Sequence, residues 1–113
     1  MSYSMSDLLQ LAVSGKSSDL HIRVGVPPVI RVHGILLRVE GPSLRPEDTE
    51  ELMRSITSED HIQEVRERGS SEFGFAFGET ACFRARVFKQ KGCYGLILRQ
   101  RPSWLPAQAE RGI

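Results

Sequence analysis

The stretch Ser18–Gly34, SDLHIRVGVPPVIRVHG, decides how the front of the chain is read. Leu20, Ile22 and Val24 alternate with His21 and Arg23, the period-2 pattern of a half-buried strand over Leu20–Val24. Gly25-Val26-Pro27-Pro28 breaks that strand, because proline fixes φ and has no amide hydrogen to give. Val29–Val32 resumes as a second short strand, His33-Gly34 is a tight turn, and Ile35–Val39 is a third strand.

Upstream, Ser6–Ser14 carries Leu8, Leu9, Ala12 and Val13 on one helical face, with Ser4 or Ser6 to cap its start and Gly15 to end it. Downstream of a loop at Gly41–Leu44, Pro46 sits in the first turn of a helix that runs to about Ile56. Glu47, Asp48, Glu50 and Glu51 enrich its start, where the helix dipole favours anions, and Leu52, Met53 and Ile56 form its apolar face. Thr57 or Ser58 caps a further helix, Glu59–Arg68, with Ile62 and Val65 inward and Gly69 closing it. Phe73, Phe75 and Phe77 alternate in a fourth strand. After a turn at Gly78-Glu79-Thr80, Cys82–Lys89 and Cys93–Arg99 form a hairpin about Lys91-Gly92. The pattern lapses after Pro102, at PSWLPAQAERGI. A helix, three strands, two helices and three strands make an α+β domain with a largely antiparallel sheet of about six strands.

At 113 residues one domain is expected, with 40% hydrophobic and 26% charged residues, ordinary for a globular chain. The net charge of +1 gives no global field for nucleic acid, yet Phe83–Arg101 holds six Lys/Arg and no acid, whereas Thr49–Asp60 is acid-rich. The alternation of Phe73, Phe75 and Phe77 fits a core face better than a base-stacking platform, and no RNA-binding signature accompanies the five phenylalanines, so no nucleic-acid partner is expected. No apolar run approaches the ~20 residues that span a bilayer, and no signal peptide is legible. Cys82 and Cys93 form no CxxC, and no metal site is expected. They fall on opposite arms of the hairpin; a disulfide stays open, with two buried reduced thiols as the plainer reading.

Three groups of residues invite chemistry. Gly15-Lys16-Ser17 imitates the end of a phosphate-binding loop, but Gln10 stands where the first glycine belongs, and the segment leads from helix to strand, the reverse of the required order. Asp19 and His21 suggest a ligand pair, but no third ligand is near. Arg84 and Arg99 lie on two strands expected to pair. Arginine is always charged and forks onto phosphate oxygens, so such a pair suits an anion; solvated arginines paired with Glu72 or Glu79 are the plain alternative.

Ser18–Gly34 and Phe83–Arg101 together resemble the N-terminal domain of the pilus-retraction (twitching-motility) members of the type II/IV secretion ATPase family. Gly25, Pro27, Pro28, Arg31 and Gly34 match a family pattern, and the likeness extends from about Met5 to Ser103, weakest over Pro46–Arg68. The resemblance implies a PAS-like fold over residues 1–101, with 102–113 beginning a linker, anchored by Trp104, to an absent RecA-like ATPase domain. It implies that Arg84 and Arg99 act like arginine fingers at a nucleotide bound elsewhere. Arg86 stands where the family has a small polar residue, which leaves Arg84 and Arg86 as two candidates for one role. Asp19, His21, Arg23, Arg31 and Arg86 are candidates for an intersubunit surface. The implied parent is a homo-hexameric motor that uses ATP and Mg, cytoplasmic and peripheral at the inner-membrane base of the pilus, where it meets platform proteins. The segment itself holds no catalytic residue and is expected to be inactive alone. The absence of a long preceding domain favours the retraction branch, and the chain is expected to be an excised domain or a natural truncation. The alternatives are a stand-alone PAS-like scaffold module, or the same domain from a pilus-assembly or type II secretion ATPase.

Overall fold

A computed structural model of the chain describes residues 3–79 and 81–102. Thr80 of the expected turn, Trp104 and the expected linker beyond Pro102 lie outside the described residues.

The elements follow the expected order: α1 (Met5–Ser14), β1 (Asp19–Ile22), β2 (Val29–Val32), β3 (Ile35–Arg38), α2 (Pro46–Ile56), α3 (Glu59–Arg68), β4 (Ser70–Phe77), β5 (Ala81–Gln90) and β6 (Cys93–Pro102). The sheet order is β3-β2-β1-β6-β5-β4, antiparallel at every step. The first and last strands therefore meet at its centre. Two turns have the two-residue geometry that suits right-twisted hairpins, with positive φ at both positions: His33 (51°) and Gly34 (80°), and Lys91 (54°) and Gly92 (80°).

All three helices cover one face of the sheet. Leu20, Ile22, Leu96 and Leu98 from the central strands are fully buried there, against Leu9 of α1, Met53 of α2 and Ile62 of α3 in one core. Ser4 accepts from the Asp7 amide to cap α1, and Ser58 accepts from the His61 amide to cap α3. Gly69 ends α3 at φ 92°, where its N–H reaches the Val65 carbonyl. At the start of α2, the Asp48 carboxylate accepts from the Arg45 amide at 2.9 Å and from the Arg45 Nε at 3.1 Å. The Arg45 side-chain hydrogen bond is the main reason the Asp48 carboxyl lies below its ordinary range, with the backbone bond next.

Four features differ from expectation. β1 stops at Ile22, and Val24 is exposed in a turn, because Gly25 takes φ 98° and the Gly25 N–H bonds the Leu44 carbonyl. Leu44, expected in a bare loop, is a core residue whose own amide bonds the Val26 carbonyl. β3, the edge strand, ends at Arg38, one residue short of the expected Val39, and is exposed at all four positions. The cysteines are not two buried thiols: Cys82 is exposed and Cys93 half-buried, both free. The register sets Cys82 opposite Arg101 and Cys93 opposite Gln90. That puts them roughly 27 Å apart along the hairpin at ~3.4 Å per residue, far beyond the reach of a disulfide.

Met53→Ala is expected to destabilise the fold by about 2–5 kcal/mol in urea unfolding, as core truncations do. Gly69→Ala is expected to cost about 1–2 kcal/mol from backbone strain alone, since a Cβ there meets nothing within 4 Å. Asp48 has a depressed folded-state pKa, so its contribution is complete above the ordinary carboxylate value of ~3.9 and is lost as pH falls through the folded value. Asp48→Asn should therefore lower the urea midpoint at pH 7 and reduce the further loss on acidification. An unchanged acid profile would refute the assignment.

Candidate functional site

Because side chains alternate along a strand, burying one face of the sheet sends the other residues to the open face. The register aligns them in two transverse rows. One runs Gly74, Arg84, Arg99, Asp19, Arg31 and Leu36; the next runs Glu72, Arg86, Ile97, His21, Val29 and Arg38. The structure thus brings together Asp19, His21, Arg31, Arg84, Arg86 and Arg99, residues spread over 80 positions of sequence. Arg23 follows β1 and is exposed beside this face, where it lines a groove with His21.

Arg84 and Arg99 are direct cross-strand partners. Like charges in that relation repel, and each guanidinium faces a carboxylate on its outer side. The Arg99 Nε donates to Asp19 Oδ1 at 3.2 Å, while the Arg84 Nη2 stands 3.8 Å from Glu72 Oε1, an ion pair without a hydrogen bond. Glu72, Arg84, Arg86, Ile97 and Arg99 line a groove of about 290 Å³ between them. Three arginines and one carboxylate line it around Ile97, so the charge of its lining is net positive.

Asp19 is the hub of the first row. Its side chain is only 10% exposed, whereas that of Arg99 is 78% exposed. Ser18 Oγ donates to Asp19 Oδ2 at 3.0 Å, and the buried Arg31 Nε stands 3.6 Å from the same oxygen with no hydrogen-bond partner of its own. The carboxylate is thus committed to Ser18 and two arginines. His21, next to it, lines a second groove of about 330 Å³ with Arg23, Val26, Val29, Leu36 and Arg38. Burial lowers the His21 pKa first of all; Asp19 opposes the shift, and Arg31, Arg23 and Arg99 reinforce it.

One polar cluster had no signal in the sequence. Ser71, buried at the start of β4, donates to Glu64 Oε1 at 2.5 Å and meets His61 Nδ1 at 2.7 Å. A nucleophilic serine needs histidine as its base, with the acid behind the histidine. Here the hydroxyl proton goes to the carboxylate, and its bond is the main reason the Glu64 pKa is lowered. The cluster ties α3 to β4, with His61 also stacked 4.8 Å from Phe73. Phe73, Phe75 and Phe77 pack on the helix-covered side with Phe83, as their alternation predicts. Among the described residues, no three His, Cys, Asp or Glu side chains are grouped to hold a metal, and no helix is long and apolar enough to cross a membrane.

No protein-family model matches the chain. The chain is 29% identical over 109 residues to the type IV pilus retraction ATPase PilT of Pseudomonas aeruginosa, covering 96% of this chain and 32% of that protein. It is 31% identical over 103 residues to the type IV pilus ATPase PilU of the same organism, covering 91% of this chain and 27% of that one. The crystal structure of the pilus retraction motor PilT with bound ADP superposes at a TM-score of 0.83 with 33% identity, over 96% of this chain and 32% of that one. The chain is homologous to the N-terminal part of PilT. The Legionella pneumophila ATPase DotB shares the fold, at a TM-score of 0.77 and 19% identity. The chain spans about a third of the length of these PilT-type relatives. With three helices on one face of a six-stranded antiparallel sheet, it has the α+β fold expected of that N-terminal region.

A depressed histidine pKa means that the stability His21 contributes is complete above its ordinary value of ~6.5 and is lost as pH falls below it towards the folded value. In an NMR titration the His21 ring should titrate below ~6.5, and Asp19→Asn should lower it further by removing the one charge that raises it. A rise on that substitution would refute the assignment.

Proposed function

We propose that this chain is the PAS-like N-terminal domain of a hexameric pilus-retraction ATPase, and that it delivers Arg84 and Arg99 to a nucleotide held by a partner ATPase domain. The observation that carries the reading is the direct cross-strand pairing of these two arginines at one groove on the open face. Two adjacent guanidiniums suit the oxygens of a polyphosphate, and delivery from a separate domain would let them stabilise charge on the transferring phosphoryl group. The same register favours Arg84 over Arg86 for the role, since Arg86 faces Ile97. The ADP bound in the PilT structure supports a nucleotide in the parent protein.

On this reading Arg84 and Arg99 are the residues of this chain that touch ATP. Mg belongs with the partner domain, because Asp19 is already committed to Ser18, Arg31 and Arg99. Arg23, Arg31 and Arg86 supply a basic surface to the neighbouring subunit, with Asp19 and His21 among them. The parent would work on the cytoplasmic side of the inner membrane with the pilus platform proteins.

In the full-length protein, Arg84→Ala and Arg99→Ala should each lower ATP turnover by about 10³-fold, the lower end of the effect of an arginine finger, with circular dichroism unchanged. The 113-residue chain alone should not hydrolyse ATP. Full turnover in both variants, or a reading frame that encodes no phosphate-binding loop, would overturn the motor reading in favour of a stand-alone binding module.

A further inference from the structure

The two arginines of the groove are held differently. Arg84 has only an ion pair to Glu72, whose side chain is 52% exposed, at a distance too long for a hydrogen bond. Arg99 donates a charge-assisted hydrogen bond from Nε to a carboxylate that is 10% exposed and is itself braced by Ser18. The bond uses the Nε edge of the guanidinium. Among the described residues, Asp19 is the one hydrogen-bond partner of the Arg99 side chain, which leaves the two Nη groups unbonded at the solvent end. Those two groups are the fork that fits phosphate oxygens end-on.

We propose that Asp19 is a positioning residue: it grips Arg99 by its Nε edge and so presents the Nη edge to a phosphate, while Arg84 stays mobile. The proposal rests on the nucleotide reading given above. The fold supplies the means. Asp19 and Arg99 are register partners on the central β1–β6 pair, so the grip is built on the most deeply packed strands of the sheet. Arg31, the partner of Asp19 on its other side, adds a second positive charge that keeps the buried carboxylate compensated. The arginine pair therefore comprises a fixed member and a mobile one. Fixing a side chain before the ligand arrives removes the entropy cost of ordering it at the moment of contact.

The signature is spectroscopic and can be read first on the wild-type chain. The Arg99 Nε–H NMR signal should exchange with water more slowly than that of Arg84, by roughly tenfold, the factor for a charge-assisted bond of this kind. Equal exchange at the two sites would overturn the proposal without any variant having to fold. Asp19→Asn, with its backbone spectrum otherwise intact, should narrow the difference, because the amide oxygen still accepts from Nε but carries no charge. The functional arm is a double-mutant cycle on ATP turnover in the full-length protein. Asp19→Asn should lower kcat with KM little changed, and should have no further effect once Arg99→Ala is present. An equal loss in both backgrounds, or none in either, overturns the positioning role while a loss from Arg99→Ala leaves the nucleotide reading standing. If Arg84→Ala and Arg99→Ala are both without effect, the nucleotide reading fails and the positioning role falls with it.

Discussion

The register that joins β1, β6 and β5 is the constraint on which the rest of the molecule depends. Leu20, Leu98 and Ala85 align across these strands on the covered face, as Asp19, Arg99 and Arg84 do on the open one. A slip of one residue would drive the arginines of β5 or β6, or Asp19 and His21 of β1, into the apolar layer beneath the helices and lift leucine, isoleucine, valine or alanine into water. The hydrophobic face and the cationic face are thus two outcomes of one alignment. Burial of Leu20, Ile22, Leu96 and Leu98 enforces it, and the arginine row is positioned as a consequence.

Much of this was legible in the residues. The two central helices begin and end where Pro46, Ser58 and Gly69 mark them, because capping is a local interaction between near neighbours. The strands were visible wherever one face is covered, since alternation then has a physical cause. It failed at Val24, whose apolar side chain continued the pattern after the backbone had already turned, held by Leu44 from a distant loop. It was silent about Leu44 itself, a single apolar residue in a polar stretch with nothing periodic around it.

The site was legible in part, and for a related reason. Pairing Arg84 with Arg99 follows from a hairpin, whose register a two-residue turn fixes locally. Placing Asp19 beside Arg99 requires the strand order, which brings together residues 80 positions apart that no spacing rule connects. The Ser71–His61–Glu64 cluster is similar. His61 and Glu64 are one helical turn apart, but the docking of β4 beneath α3 is a tertiary event. What stayed hidden in each case was the long-range partner and not the chemical character of the residue.

The central position of β1 also bears on how the chain is made. A ribosome releases β1 some 70 residues before β6, its inner neighbour, begins to emerge. At 5–20 residues per second this leaves roughly 4–14 s in which β1 has only β2 and β3 beside it. During that interval α1 and the short front hairpin expose Leu20 and Ile22 along an unpaired strand edge. The β5–β6 hairpin is the element that ends this exposure, because β6 pairs with β1.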